Sequence, residues 1–142
     1  MKEAAAKTAG FDISSLDVVK AANDGANVEL VHPVSGEGLG IRVRVIGKDS
    51  DEFRRLIAAQ SRRRVQRMAK QGRGVKAPDQ EEIEHENVDL LAASTLGWEG
   101  MVYEGKELPF TRENAVMVYS KYPWVREQVD VAIGDRSLFI KA

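Results

Sequence analysis

The chain has 142 residues, 43% hydrophobic and 30% charged, with a formal net charge of −1 and no cysteine. That length buries roughly two-thirds of the unfolded surface in one core, and the balance is too apolar for disorder and too charged for a membrane protein. Disulfides, thiolate metal sites and cysteine nucleophiles are excluded, a reducing cytoplasm is the expected compartment, and near-neutrality gives no global pull toward nucleic acid or anionic lipid.

Residues 1–10 read as a frayed, Ala-rich start with no apolar core of signal-peptide length. Phe11, Ile13, Leu16, Val18 and Val19 predict a short amphipathic helix over residues 11–22, capped by Ser14 or Ser15, and Asn23-Asp24-Gly25 is a turn. Period-two alternation then marks two strands. Ile41, Val43 and Val45 share one face and Arg42 and Arg44 the other, so residues 27–47 read as a β-hairpin with a long glycine-rich loop. Asp49 with Glu52 fits a capping box. Phe53, Ile57, Ser61, Val65 and Met68 follow as a narrow apolar stripe on a helix of about 20 residues, roughly 30 Å long. Gly72-Arg73-Gly74 ends it, and Pro78 prevents its resumption.

Asp79 with Glu82 at N3 opens a second helix whose face runs Ile83, Val88, Leu91, Thr95 and Trp98. Residues 101–110 read as a connector with a turn at Tyr103-Glu104-Gly105-Lys106. Thr111 caps a further helix, and Pro123 starts a last one that carries Val125, Val129, Ala132 and Ile133. Leu138, Phe139 and Ile140 form an apolar tail. The expected architecture is a single α+β domain: residues 1–26 flexible or a short helix, 27–47 a hairpin, and 49–140 a predominantly helical region of about four helices.

The charges are segregated. Nine bases and no acid lie between Arg54 and Lys76, and six acids and no Lys or Arg lie between Asp79 and Asp89. The basic helix can be a solvated or self-paired face, a surface for an acidic protein, or a nucleic-acid surface. Against the last, no aromatic residue is interleaved with the bases after Phe53, and no helix-turn-helix or ribonucleoprotein signature is present.

Chemistry is sparsely signalled. Gly36, Gly38 and Gly40 lead into a strand, whereas a phosphate-binding loop must open a helix. His85 and Asp89 are four apart beside Glu81 and Glu82, a spacing that any acidic helix produces, and His32 before Pro33 reads as structural. No G-x-S-x-G elbow occurs, and no carboxylate pair stands in an apolar setting, so no enzyme, metal or cofactor is expected. Trp98, Tyr103, Phe110, Tyr119, Tyr122 and Trp124 concentrate the aromatics in the last third, as core or as partner anchors.

Three series carry a family resemblance. They are Leu91-Ala92-Ala93-Ser94-Thr95-Leu96-Gly97-Trp98-Glu99-Gly100, then Leu108-Pro109-Phe110-Thr111-Arg112-Glu113-Asn114-Ala115, then Tyr122-Pro123-Trp124-Val125-Arg126-Glu127-Gln128-Val129 with Asp135-Arg136-Ser137-Leu138-Phe139. Together with the strand pair around Val28–His32 and Gly40–Val43, residues 27–140 resemble the tail assembly chaperones of long, non-contractile-tailed bacteriophages and prophages. The resemblance implies a non-enzymatic protein of the bacterial host cytoplasm, absent from the finished virion. It implies binding to the tape measure protein, which is kept soluble, and recruitment of tail tube subunits, with a longer frameshifted form in many phages. On that reading Trp98, Phe110, Tyr119, Trp124 and Phe139 are the expected groove, and Arg62, Arg63 and Arg64 its rim or a self-association surface. The alternative is a small nucleic-acid-binding or regulatory protein using the Arg-rich helix over residues 54–73.

Overall fold

The structure, a computed structural model, describes residues 10–72 and 79–140. Of the frayed start expected over residues 1–10 and the break expected from Gly72 to Pro78, residues 1–9 and 73–78 lie outside the described residues.

A 3-10 turn over Ile13–Ser15 precedes helix α1, Val18–Asp24. The helix expected over residues 11–22 is thus displaced, and neither Ser14 nor Ser15 caps it. Asp17 does, accepting from the Lys20 amide at 2.9 Å, because its carboxylate also opposes the positive helix end. Strands β1, Ala26–Val31, and β2, Gly38–Val45, pair antiparallel and form the expected hairpin. Val28, Leu30, Val43 and Val45 are buried, while Asn27, Glu29, Arg42 and Arg44 remain exposed.

Helix α2, Asp51–Gln71, is capped by Ser50, whose Oγ accepts from the Phe53 amide at 3.1 Å. The expected cap, Asp49, is engaged elsewhere: Arg136 Nε and Nη2 donate to its two oxygens at 2.7 and 2.9 Å. Helix α3, Gln80–Ala93, has the expected Asp79 cap, reached by the Glu82 amide at 2.8 Å.

Its expected continuation through Thr95 and Trp98 is corrected. The chain leaves the helix at Ser94, and β3, Thr95–Glu99, pairs antiparallel with β2. Pairing fills the ladder that β2 otherwise leaves open, and Thr95 and Trp98 suit a pleated backbone while Gly97 weakens a helix. The connector is also more ordered than expected. Strands β4, Val102–Tyr103, and β5, Lys106–Glu107, form a ribbon around the expected turn. Glu104 and Gly105 both have positive φ, 50° and 83°, as in a type I′ turn.

Thr111 caps α4, Arg112–Lys121, and Pro123 opens α5, Pro123–Ile133, both as expected; α6, Arg136–Phe139, closes the described chain. The α+β class therefore holds, with six helices among the described residues rather than four and three strands inside the region expected to be helical.

The sheet runs β1-β2-β3, with α5 packed on β1 and β2 and α3 against β3. Helix α4 packs on α3 and α5, so Leu30, Val43, Val88, Val118, Tyr119 and Val129 meet in one core. Strand β1 is an edge. There the Val31 amide donates to Gln128 Oε1 and Gln128 Nε2 donates to the Val31 carbonyl, each at 2.9 Å. Among the described residues no helix is long and apolar enough to cross a membrane.

Candidate functional site

An open groove of about 290 Å³ lies where the sheet, the β4–β5 ribbon and the junction of α4 and α5 meet. Leu30 and Ile41 reach it from the sheet, Met101 and Leu108 flank the ribbon, and Val118 and Val125 come from the two helices. Val102, Tyr103, Glu104, Tyr122 and Trp124 complete the lining. The Tyr103 and Tyr122 rings stand edge to face, 6.4 Å between centroids. Lys121 Nζ donates to the Tyr103 hydroxyl at 2.9 Å, and that bond raises the Lys121 pKa, holding a positive charge beside the ring. Among the described residues Glu104 is the one acidic side chain in the lining, and the rest of it is aliphatic or aromatic.

The five expected groove aromatics do not converge. Trp124, half-buried, lines the groove. Trp98 and Phe110 pack edge to face at 5.0 Å, and Trp98 Nε1 donates to the Leu108 carbonyl at 2.8 Å, which pins the ribbon's return to β3. Tyr119 is 0% exposed and has no surface to offer a partner. Phe139 sits on the joint between α1 and α6, against Gly47 and Ala22. Leu30, Ile41, Met101, Tyr103 and Tyr122, which also line the groove, were not among the residues expected there. The turn at residues 103–106 was the available signal, because a hairpin turn implies a ribbon with a face.

The basic helix divides in two. Arg64 bonds Glu86 at 2.9 Å, and Arg67 bonds Glu82 at 3.3 Å and Glu86 at 2.9 Å. The Arg64 bond, then the Arg67 bond, hold the Glu86 carboxyl below the ordinary carboxylate range. Arg62 and Arg63 are exposed and form no ion pair among the described residues. Arg126 joins α5 to α3 by a 2.8 Å bond to Glu84.

His32 Nδ1 accepts from the Val34 and Ser35 amides at 3.1 and 3.2 Å, closing its own turn. His85 and Asp89 stand 3.6 Å apart, and among the described residues no three His, Asp or Glu side chains cluster as metal ligands would. No protein-family model, no curated protein and no solved structure matches this chain.

Proposed function

We propose that this chain is a tail assembly chaperone of a long, non-contractile-tailed bacteriophage or prophage. It binds the tape measure protein without catalysis, keeps it soluble in the host cytoplasm and helps recruit tail tube subunits during morphogenesis. The reading rests on the sequence resemblance over residues 27–140. The structural observation that supports it is the apolar groove between the ribbon and the α4–α5 junction. An amphipathic helix binds by laying side chains at i, i+3, i+4 and i+7 into such a groove, and Tyr and Trp on the rim give large contact areas at small entropy cost.

The test is recovery of partners by the tagged full chain in a phage or lysogen background, with and without nuclease. A long helical tape measure protein or a tube subunit, retained after nuclease, is the expected result. Val102→Lys is the main site variant, because Val102 is 63% exposed at the groove, lies outside the buried core and faces Glu107 across the ribbon, where a lysine keeps the pairing. It should weaken recovery about tenfold or more, as should Trp124→Ala if circular dichroism shows that variant folded. Recovery of nucleic acid, or of proteins lost on nuclease treatment, sinks the reading in favour of a nucleic-acid role for residues 54–73. Exposed Arg62 and Arg63 would then be the working groups.

A further inference from the structure

Helix α2 leaves the core early. Phe53 packs against the core, but Ile57, Val65 and Met68 do not; they are 40%, 64% and 52% exposed. At 3.6 residues per turn the three fall within an arc of about 80°, on one face of the helix. This stripe adjoins the face that meets α3: at 100° per residue Arg64 falls about 20° from Ile57 on one side, while Met68 and Val65 fall about 20° and 80° away on the other. That contact is made by Arg64, Arg67 and Gln60, whose Nε2 donates to the Glu86 carbonyl at 3.4 Å. Val65 and Met68, the more exposed of the three, lie on the side of the stripe away from α3, an outer face where a merely solvated helix would carry polar side chains.

Its flanks are of one sign. Arg54 and Arg62 lie beside the stripe, and from Phe53 to Gln71 the chain has no Asp or Glu. The nearest acids of α3, Glu82 and Glu86, are occupied by Arg64 and Arg67 on the inner side. Arg54 has the Asp49 carboxylate in range, whereas exposed Arg62 forms no ion pair among the described residues and is open to an acidic group of another molecule.

We propose that the outer face of α2 docks an acidic amphipathic helix of a partner protein. Its apolar side meets Ile57, Val65 and Met68, and its Asp and Glu flanks meet Arg54 and Arg62. A second copy meeting face to face brings the same bases to the contact; a copy that offered its acidic α3 instead would show as self-association in sedimentation, and that result would overturn the proposal. Nucleic acid would use the arginines but gain nothing from Val65 and Met68. This surface is separate from the groove, and the inference does not depend on what the groove binds.

The test is fluorescence anisotropy on the full chain with a labelled synthetic helix of about 20 residues, matched to the length of α2. The probe carries Leu at i, i+3, i+4 and i+7 with Glu on both flanks; controls are a scramble of the same composition, a Lys-flanked version and a DNA duplex. Saturable binding of the Glu-flanked helix, but not the scramble, is expected. Val65→Ser with Met68→Ser, and separately Arg54→Glu with Arg62→Glu, should each weaken it about tenfold or more without changing circular dichroism. The Lys-flanked probe should regain binding to the Arg54→Glu, Arg62→Glu variant. Equal binding of the scramble, or no binding of the amphipathic probe, overturns the proposal. Tighter binding of the duplex, with a steep salt dependence and no response to the Val65 and Met68 changes, overturns it in favour of nucleic acid.

Discussion

Tyr119 concentrates several constraints in one side chain. A buried hydroxyl left unpaired costs about 1–3 kcal/mol. Thr95 Oγ1 lies 2.7 Å from the phenol, and the single Thr95 hydroxyl hydrogen goes to the Leu91 carbonyl at 2.8 Å, so the phenol is the donor. Burial pushes the Tyr119 pKa up to about 12. The unfolded value is about 10. Below pH of about 10 both states hold the proton and stability is full; from there through about 12 the unfolded chain deprotonates first and the fold weakens. Urea titrations should show a loss of about 3 kcal/mol across that window. Tyr119→Phe should flatten this alkaline limb and cost about 1 kcal/mol at neutral pH. An unchanged limb in the variant would place its cause elsewhere.

At the scale of elements, α6 is held to the loop before α2 by one ion pair and one ring. The Arg136 guanidinium beside Asp49 holds that carboxyl below the ordinary carboxylate range. A depressed carboxyl contributes stability above its unfolded pKa and loses it as pH falls through the folded one. The Leu138 and Ile140 amides, bonded to the Asp135 and Arg136 carbonyls, should therefore lose hydrogen-exchange protection in acid before the sheet does, and Arg136→Met should produce the same loss at neutral pH. Equal protection in acid and at neutrality would count against the latch. Gly100 binds the end of β3 to β2: its φ is 78°, and a Cβ there would overlap the Gly40 carbonyl oxygen. Gly100→Ala should cost about 2–3 kcal/mol, read as a lowered midpoint in thermal melts.

The elements with strong local signals were legible: the alternating hairpin, and the helices opened by Asp79, Thr111 and Pro123. Strand β3 was not. Leu91, Thr95 and Trp98 sit at helical spacing, and the open edge of β2 that claims residues 95–99 is remote in sequence. Ser50 displaced Asp49 as a cap for a similar reason, since Arg136 draws Asp49 away. The groove was legible only in part, because Leu30, Ile41 and Tyr122 come together through packing of the sheet on two helices. Spacing marked the aromatics but gave no means of separating Trp124, at the groove, from Tyr119, in the core.

The whole molecule has a body and an arm. The sheet, α4 and α5 share the core, whereas the outer half of α2 is tied to α3 by Arg64 and Arg67 on Glu86. Partly exposed pairs of this kind add little global stability. Glu86→Gln should therefore speed amide exchange in the outer half of α2 while the thermal midpoint barely moves. A large drop in midpoint would mean that arm and body unfold as one unit.

Gln128 bears on a different hazard. A free strand end is a template, and any extended chain with matching amides can copy it. The Gln128 carboxamide presents to Val31 the one donor and one acceptor that an incoming peptide would present, and its tether to α5 makes it the first arrival every time. It works as a decoy strand one residue long, which lets the molecule keep an open apolar groove without offering a growth point at that place on the sheet. Gln128→Leu removes the decoy at similar bulk, and concentrated solutions of that variant are expected to assemble edge to edge where the parent chain does not.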